Sequence, residues 1–242
     1  MLVKLITSLL FVFMIVMNYL ANALPLNGKT TGELSDAYPN LFVPAGITFS
    51  IWGVIYLLLA LYVVLQFFPA YSKVASDIGW LFAISSLFNG LWIIAWHYQR
   101  LPLSLLVMAG MLLTLLLINQ RISALNYGWV KAAFGVYLGW ICIATIANVT
   151  AVLVNYNWGG WGISEQSWAL IMMTAGMLIG IITLVKMNNP FVGLSVAWAF
   201  AGIAIKRQSD YPLIMGAAIV MAVLVLGVCI YQLFFSSRML NA

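Results

Sequence analysis

A chain of 242 residues that is 65% hydrophobic, only 6% charged and of mean hydropathy +1.09 cannot cover a water-facing surface, because a soluble domain carries about a quarter charged residues. Lipid must be the solvent for most of it, which excludes a soluble reading. The net charge of +5 comes from ten Lys and Arg against five Asp and Glu; almost all of these sit in short polar breaks between apolar runs, as at a headgroup boundary rather than on a nucleic-acid-binding face.

A spanning helix needs about 20 mostly apolar residues. Eight segments qualify, over approximately 3–22, 46–68, 78–97, 102–119, 131–155, 166–186, 190–206 and 212–235. The fourth and seventh are short, so seven is the other count. The chain is expected to be all-α, a polytopic bundle of about eight transmembrane helices. The first segment follows Lys4 and ends at Ala21-Asn22-Ala23. It reads as a retained helix rather than a signal peptide cut at the Ala-x-Ala site.

Between the first two helices lies the longest polar segment, 24–44, from Leu24 through Pro25 to Pro44. Thr30 stands three residues before Glu33, the spacing of a capping box. A helix of one or two turns can start there and lie across the bundle mouth as a cover; an ordinary connecting loop is the other reading.

With eight helices both termini share a side. That side carries Lys4, Lys73, Arg121, Lys131, Lys186 and Arg238, against Lys29, Arg100, Lys206 and Arg207 on the other. The excess places both termini in the cytoplasm of a multi-pass cell-membrane protein.

Ionisable side chains in mid-membrane mark proton relays, ion paths or cofactor bonds. Here each falls at or near a helix end, as with His97, Arg100, Lys131, Lys206 and Arg207. Retinal binding and ion-coupled transport lose their footing for that reason. One His and two Cys within apolar runs, Cys142 and Cys229, do not make a metal site, and no phosphate-binding glycine motif is present. No general acid, base or nucleophile is placed to serve a membrane pocket, so an enzyme is not expected and no catalytic residue is assigned. Gly135-x-x-x-Gly139 and Gly176-x-x-x-Gly180 have the spacing of close helix packing.

Aromatic and amide residues form stripes instead. Phe49, Trp52 and Tyr56 follow one face of the second helix. Ser85, Asn89, Trp92 and Trp96 do so in the third, and Tyr137, Trp140, Ala144, Asn148 and Asn155 in the fifth. An Asn in hydrocarbon needs a hydrogen-bond partner. Three such stripes can line one pocket for a flat, largely apolar ligand; the other reading, which spacing alone favours, has the amides bonding across helices while the aromatics pack. Trp158, Trp161 and Trp168 read as an interfacial belt.

At these residues the sequence resembles the TspO/MBR family, the tryptophan-rich sensory proteins related to the mitochondrial translocator protein. Pro44-Ala-Gly46 leads to Trp52 and Tyr56; Leu81-Phe82 and Leu87-Phe88-Asn89 lead to Trp92; and Val136-Tyr137-Leu138-Gly139-Trp140 is followed by Ala144, Asn148 and Asn155. The resemblance covers about residues 3–158. It implies a five-helix core over 1–158, with 24–44 covering the pocket mouth, and a three-helix extension over 159–242. Val136 stands where the family has proline, and the long first loop carries Tyr38 and Phe42 but no Trp. By motif position, Trp52, Asn89, Trp140, Ala144 and Asn148 would face a ligand, joined on the same stripes by Tyr56, Trp92 and Tyr137.

Porphyrin, haem or a sterol-like molecule is the ligand the family implies, with no metal ligands of the chain's own. The expected activity is a sensor or carrier of such a hydrophobic molecule. A permease component for a lipid or peptide, driven by a separate ATPase, is the alternative, and a structural or assembly protein the third. Expected partners are the lipid bilayer and a hydrophobic small molecule, with a homodimer as a candidate assembly and no nucleic acid.

Overall fold

The computed structural model describes residues 1–24, 26–126 and 128–236; Pro25 and Arg238, used above for the first loop and the charge count, lie outside them. Helix α1 spans Leu2–Asn22 and the short α2 Thr31–Asp36. They are followed by α3 (Ile51–Leu65), α4 (Ser72–His97), α5 (Leu101–Arg121), α6 (Trp129–Asn155), α7 (Glu165–Lys186), α8 (Phe191–Arg207) and α9 (Pro212–Tyr231). The expected segments all appear as helices. Among the described residues seven helical stretches are long and apolar enough to cross a membrane. The eighth long helix, α8, has 17 residues and falls short on length alone. The expected second helix, drawn as continuous from 46, begins instead with a 3-10 turn over Gly46–Ser50.

Helix ends follow local chemistry. Thr30 caps α2: its backbone N–H donates to Glu33 Oε2 at 2.7 Å, and the Glu33 N–H donates to Thr30 Oγ1 at 3.3 Å. These bonds satisfy N–H groups that a helix start leaves without partners. The Thr30 backbone bond, reinforced by its hydroxyl, holds the Glu33 carboxyl below its ordinary value. Helices α4, α6 and α7 each end on a side-chain-bearing residue in the left-handed region, Gln99, Asn157 and Asn188. After α6, Asn157 N–H donates to Val154 O and Trp158 N–H to Leu153 O, both at 3.0 Å, the crossed pair of a Schellman stop.

The chain divides into two compact units. One comprises Met1–Tyr38 and Trp52–Phe134; the other comprises Pro39–Ile51 and Gly135–Ala242. The division falls within α6, between Phe134 and Gly135.

In the first unit α4 is the central helix, packed by α1, α2 and α5. Tyr62, Phe82 and Phe134 meet edge to face with centroids 5.0–5.4 Å apart, the arrangement ring quadrupoles favour. Amides supply the polar ties that lipid cannot. Asn18 Nδ2 donates to Asn89 Oδ1 at 2.7 Å, joining α1 to α4. Asn119 Nδ2 donates to Phe134 O at 3.0 Å, joining α5 to the start of α6. His97 fastens the first loop: its Nδ1 lies 3.0 Å from Leu26 O and so must donate, its Nε2 lies 3.1 Å from Thr31 Oγ1, and its own carbonyl accepts from Asn27 Nδ2 at 3.0 Å.

In the second unit small residues set the spacing. A Cβ on Gly139 of α6 would overlap the Val192 carbonyl oxygen of α8, one on Gly180 of α7 would lie 3.0 Å from the Val196 side chain, and one on Gly202 of α8 would overlap Thr48 Oγ1. The two glycine pairs read from the sequence therefore do mark close packing. The segment 39–51 is fastened to α8. Arg207 donates from Nη2 to Asn40 O at 2.7 Å and from Nε to Leu41 O at 3.3 Å, Ala45 N–H donates to Gly202 O at 3.0 Å, and Trp198 Nε1 donates to Thr48 O at 2.9 Å. Asp210, 3.4 Å from Arg207 Nη1, offsets the guanidinium charge. Cys142 and Cys229 are free, buried thiols, as expected of cysteines inside apolar helices.

Candidate functional site

The eight residues expected to face a ligand are shared between the units: Trp52, Tyr56, Asn89 and Trp92 belong to the first, and Tyr137, Trp140, Ala144 and Asn148 to the second. Trp52 and Tyr56, each half-buried, stack on one another at 5.4 Å with planes 20° apart. Trp140 is buried and meets Phe49 edge-on at 5.9 Å. The stripes of the second and fifth predicted helices therefore touch at that pair. Tyr137 and Asn148 are buried, and Ala144 is half-buried.

Asn89 is a buried amide whose oxygen accepts from Asn18, while its Nδ2 points to Met111 Sδ at 3.8 Å. Its bond to Asn18 is interhelical, joining α4 to α1.

The α4 stripe continues into a distinct feature. Trp92 and Trp96 stack at 5.6 Å with planes 18° apart. Both are buried, at 7% and 5% exposure, and neither indole N–H meets an acceptor. A buried N–H without a partner costs about 1–3 kcal/mol, so two on adjacent turns call for an explanation. Tyr38 packs on Trp96 at 5.9 Å, and burial pushes its phenol above the ordinary value. The three-, four- and seven-residue spacing disclosed this stripe, but not that its donors would be left open.

The second unit holds a cavity of about 300 Å³ where α6 ends and α7 begins, walled on one side by Pro39–Phe42. Trp158, Trp168, Phe42, Leu153 and Met172 give it an apolar lining, and Glu165 is the only ionisable side chain among the described residues lining it. None of the eight expected residues lines this cavity. The sequence reading placed Trp158, Trp161 and Trp168 in a belt; in the structure they pack on one another with centroids 5.0–5.9 Å apart. The available signal was the run Gly159-Gly160-Trp161-Gly162 just before Glu165, since glycines clustered beside aromatic residues mark a turn with unusual backbone.

Among the described residues no group of three or more His, Cys, Asp or Glu could hold a metal ion. What remains is a multi-pass α-helical membrane protein with buried indole donors on one helix and an aromatic cavity at the end of another. The chain belongs to the TSPO-like protein family, whose model matches residues 4–231. That match runs through α7, α8 and the whole of α9, beyond the 3–158 over which the motifs were recognisable. Neither the curated proteins nor the solved structures include one that matches the chain.

Proposed function

We propose that the chain is a membrane sensor or carrier that binds a flat, hydrophobic, tetrapyrrole-like or sterol-like molecule. The observation that supports this is the stacked pair Trp92 and Trp96, with two buried N–H donors that meet no acceptor. A ligand carrying a carbonyl, carboxylate or hydroxyl oxygen would recover the cost of those donors, and its flat body would pack on the indoles. Buried hydrogen bonds count for more in a low-dielectric site than in water. The role of Asn89 differs: its bond to Asn18 supports a structural function for that amide within the same unit.

Titration of the purified full-length protein with haem, protoporphyrin and a fluorescent sterol, followed by tryptophan quenching, tests the reading. The double variant Trp92→Phe, Trp96→Phe keeps two stackable rings and removes both donors. It should bind about tenfold more weakly, as expected for one to two lost hydrogen bonds. Absence of quenching by every tetrapyrrole and sterol tried, or equal affinity of the variant, would overturn it.

A further inference from the structure

We propose that the cavity in the second unit is a separate site for the quaternary ammonium head of an amphipathic molecule. Three features point to that chemistry. First, the lining offers aromatic faces and one carboxylate. Trp158, Trp168 and Phe42 line the cavity together with Glu165, and no Lys, Arg or His is among the described lining residues. A cation held over indole faces is attracted by the ring quadrupole, and quaternary ammonium groups are the usual guests of aromatic enclosures.

Second, the hydrogen-bonding edge of one ring is already occupied. Trp168 Nε1 donates to Gly160 O at 2.8 Å. That indole has no donor left for an acceptor-bearing ligand and presents its π surface instead. Leu153 and Met172 continue the lining with apolar surface, suited to the first carbons of a chain attached to the head.

Third, the backbone is held in an uncommon shape to place these rings. Gly160, Trp161 and Gly162 all have positive φ, at 62°, 53° and 76°. For a residue as large as Trp161 this is an outlier, and such conformations cluster at ligand sites. Trp161 is 80% exposed, yet its ring packs edge-on against Trp158 at 5.3 Å and tilted on Trp168 at 5.9 Å. It therefore backs the two cavity indoles from outside. Rings serving only as interfacial anchors have no need of this mutual packing or of the strained turn.

The charges near the site agree with a cationic guest. Glu165 opens α7 and outweighs the partial positive charge of that helix start. The C-terminal end of α6, which reaches the cavity through Thr150, Leu153 and Val154, adds partial negative charge. Arg207 is not among the described lining residues; it donates to the carbonyls of Asn40 and Leu41 and is paired with Asp210.

The test uses the full-length protein in neutral maltoside micelles and calorimetric titration with lauroylcholine. The control ligand is its neutral isostere, 3,3-dimethylbutyl laurate, in which carbon replaces the quaternary nitrogen at equal shape. Wild type should prefer the cation by about tenfold, the scale of a desolvated cation–aromatic contact with a nearby carboxylate. Glu165→Gln, at an exposed position, should cut that preference severalfold without changing the affinity for the isostere; Trp158→Leu should weaken both. Equal binding of cation and isostere by wild type, or a preference untouched by Glu165→Gln, would overturn the proposal.

A lysophosphocholine arm separates the sources of the head group. Tighter binding than lauroylcholine identifies a membrane phospholipid, and weaker binding a free quaternary ammonium amphiphile. The tetrapyrrole and sterol titrations read at Trp92 and Trp96 are independent of these outcomes, so either proposal can fail alone.

Discussion

The two units solve the same problem, holding helices together in a solvent as apolar as their side chains, with a different emphasis on shared means. The first uses large rings and cross-helix amides: the Tyr62, Phe82 and Phe134 cluster, Asn18 with Asn89, and Asn119 with the Phe134 carbonyl. Glycines admit close neighbours in both, but those of Gly79, Gly90 and Gly110 in the first unit are side chains, whereas at Gly139 in the second the neighbour is the Val192 backbone carbonyl. Without a hydrophobic force between helices, close van der Waals contact and interhelical hydrogen bonds are the means left. The contrast teaches that the two are separable within one chain and should fail differently. A polar tie is a bond that can be lost with its helices still in place, whereas close contact between backbones leaves no room for an added side chain.

Gly139→Leu should expose that difference most strongly. Its new side chain must displace the Val192 carbonyl, which is backbone of α8 and cannot rotate away. The expected loss is at least about 3 kcal/mol, the upper part of the range for overpacked cores, read as a large fall in Tm in detergent. A variant that melts like wild type would remove the basis for the comparison. Asn89→Leu should cost about 1 kcal/mol, since measured hydrogen bonds between membrane helices are modest. Asn18 Nδ2 retains its 2.9 Å bond to Met14 O, which limits the damage. Thermal melting of this variant beside Asn18→Leu and the double variant gives the coupling directly.

The smallest effect belongs to α2. The Glu33 carboxyl is held below its ordinary value of 4.5 by the bonds from Thr30, so its contribution is present above that value and lost as pH falls through the lowered one. Acidification across this range, or Glu33→Gln at neutral pH, should quicken amide hydrogen exchange over 31–36 and leave α4 unchanged.

Features governed by near neighbours in sequence were legible. Apolar run length gave the helices, and the Thr30–Glu33 spacing gave the cap. Glycine pairs at four-residue intervals gave the packing faces, because one helix turn brings those positions to one side. What escaped depends on distant partners. Nothing local to residues 39–51 says that the segment leaves the first unit, since its anchors, Trp198, Gly202 and Arg207, lie about 150 residues away. The division between units that falls within α6 is equally silent, because a continuous apolar helix carries no mark of it. The aromatic stripe on α4 was read from its spacing, but that Trp92 and Trp96 would lack acceptors depends on what surrounds them. The cavity was missed because three tryptophans near a bilayer boundary have the same composition whether they anchor to lipid or wall a site.

The fastening of 39–51 to α8 has a consequence for how the protein is made. Asn40 and Leu41 leave the ribosome long before Arg207, the residue that takes up their carbonyls. Throughout synthesis of the intervening helices that early stretch must wait, its carbonyls turned to water or to an insertion factor, and loop closure over such a length is slow. Nascent chains halted before α8 should therefore keep residues 39–51 open to protease, and release of the completed chain should close them. The last third of the polypeptide thus governs when its first loop matures.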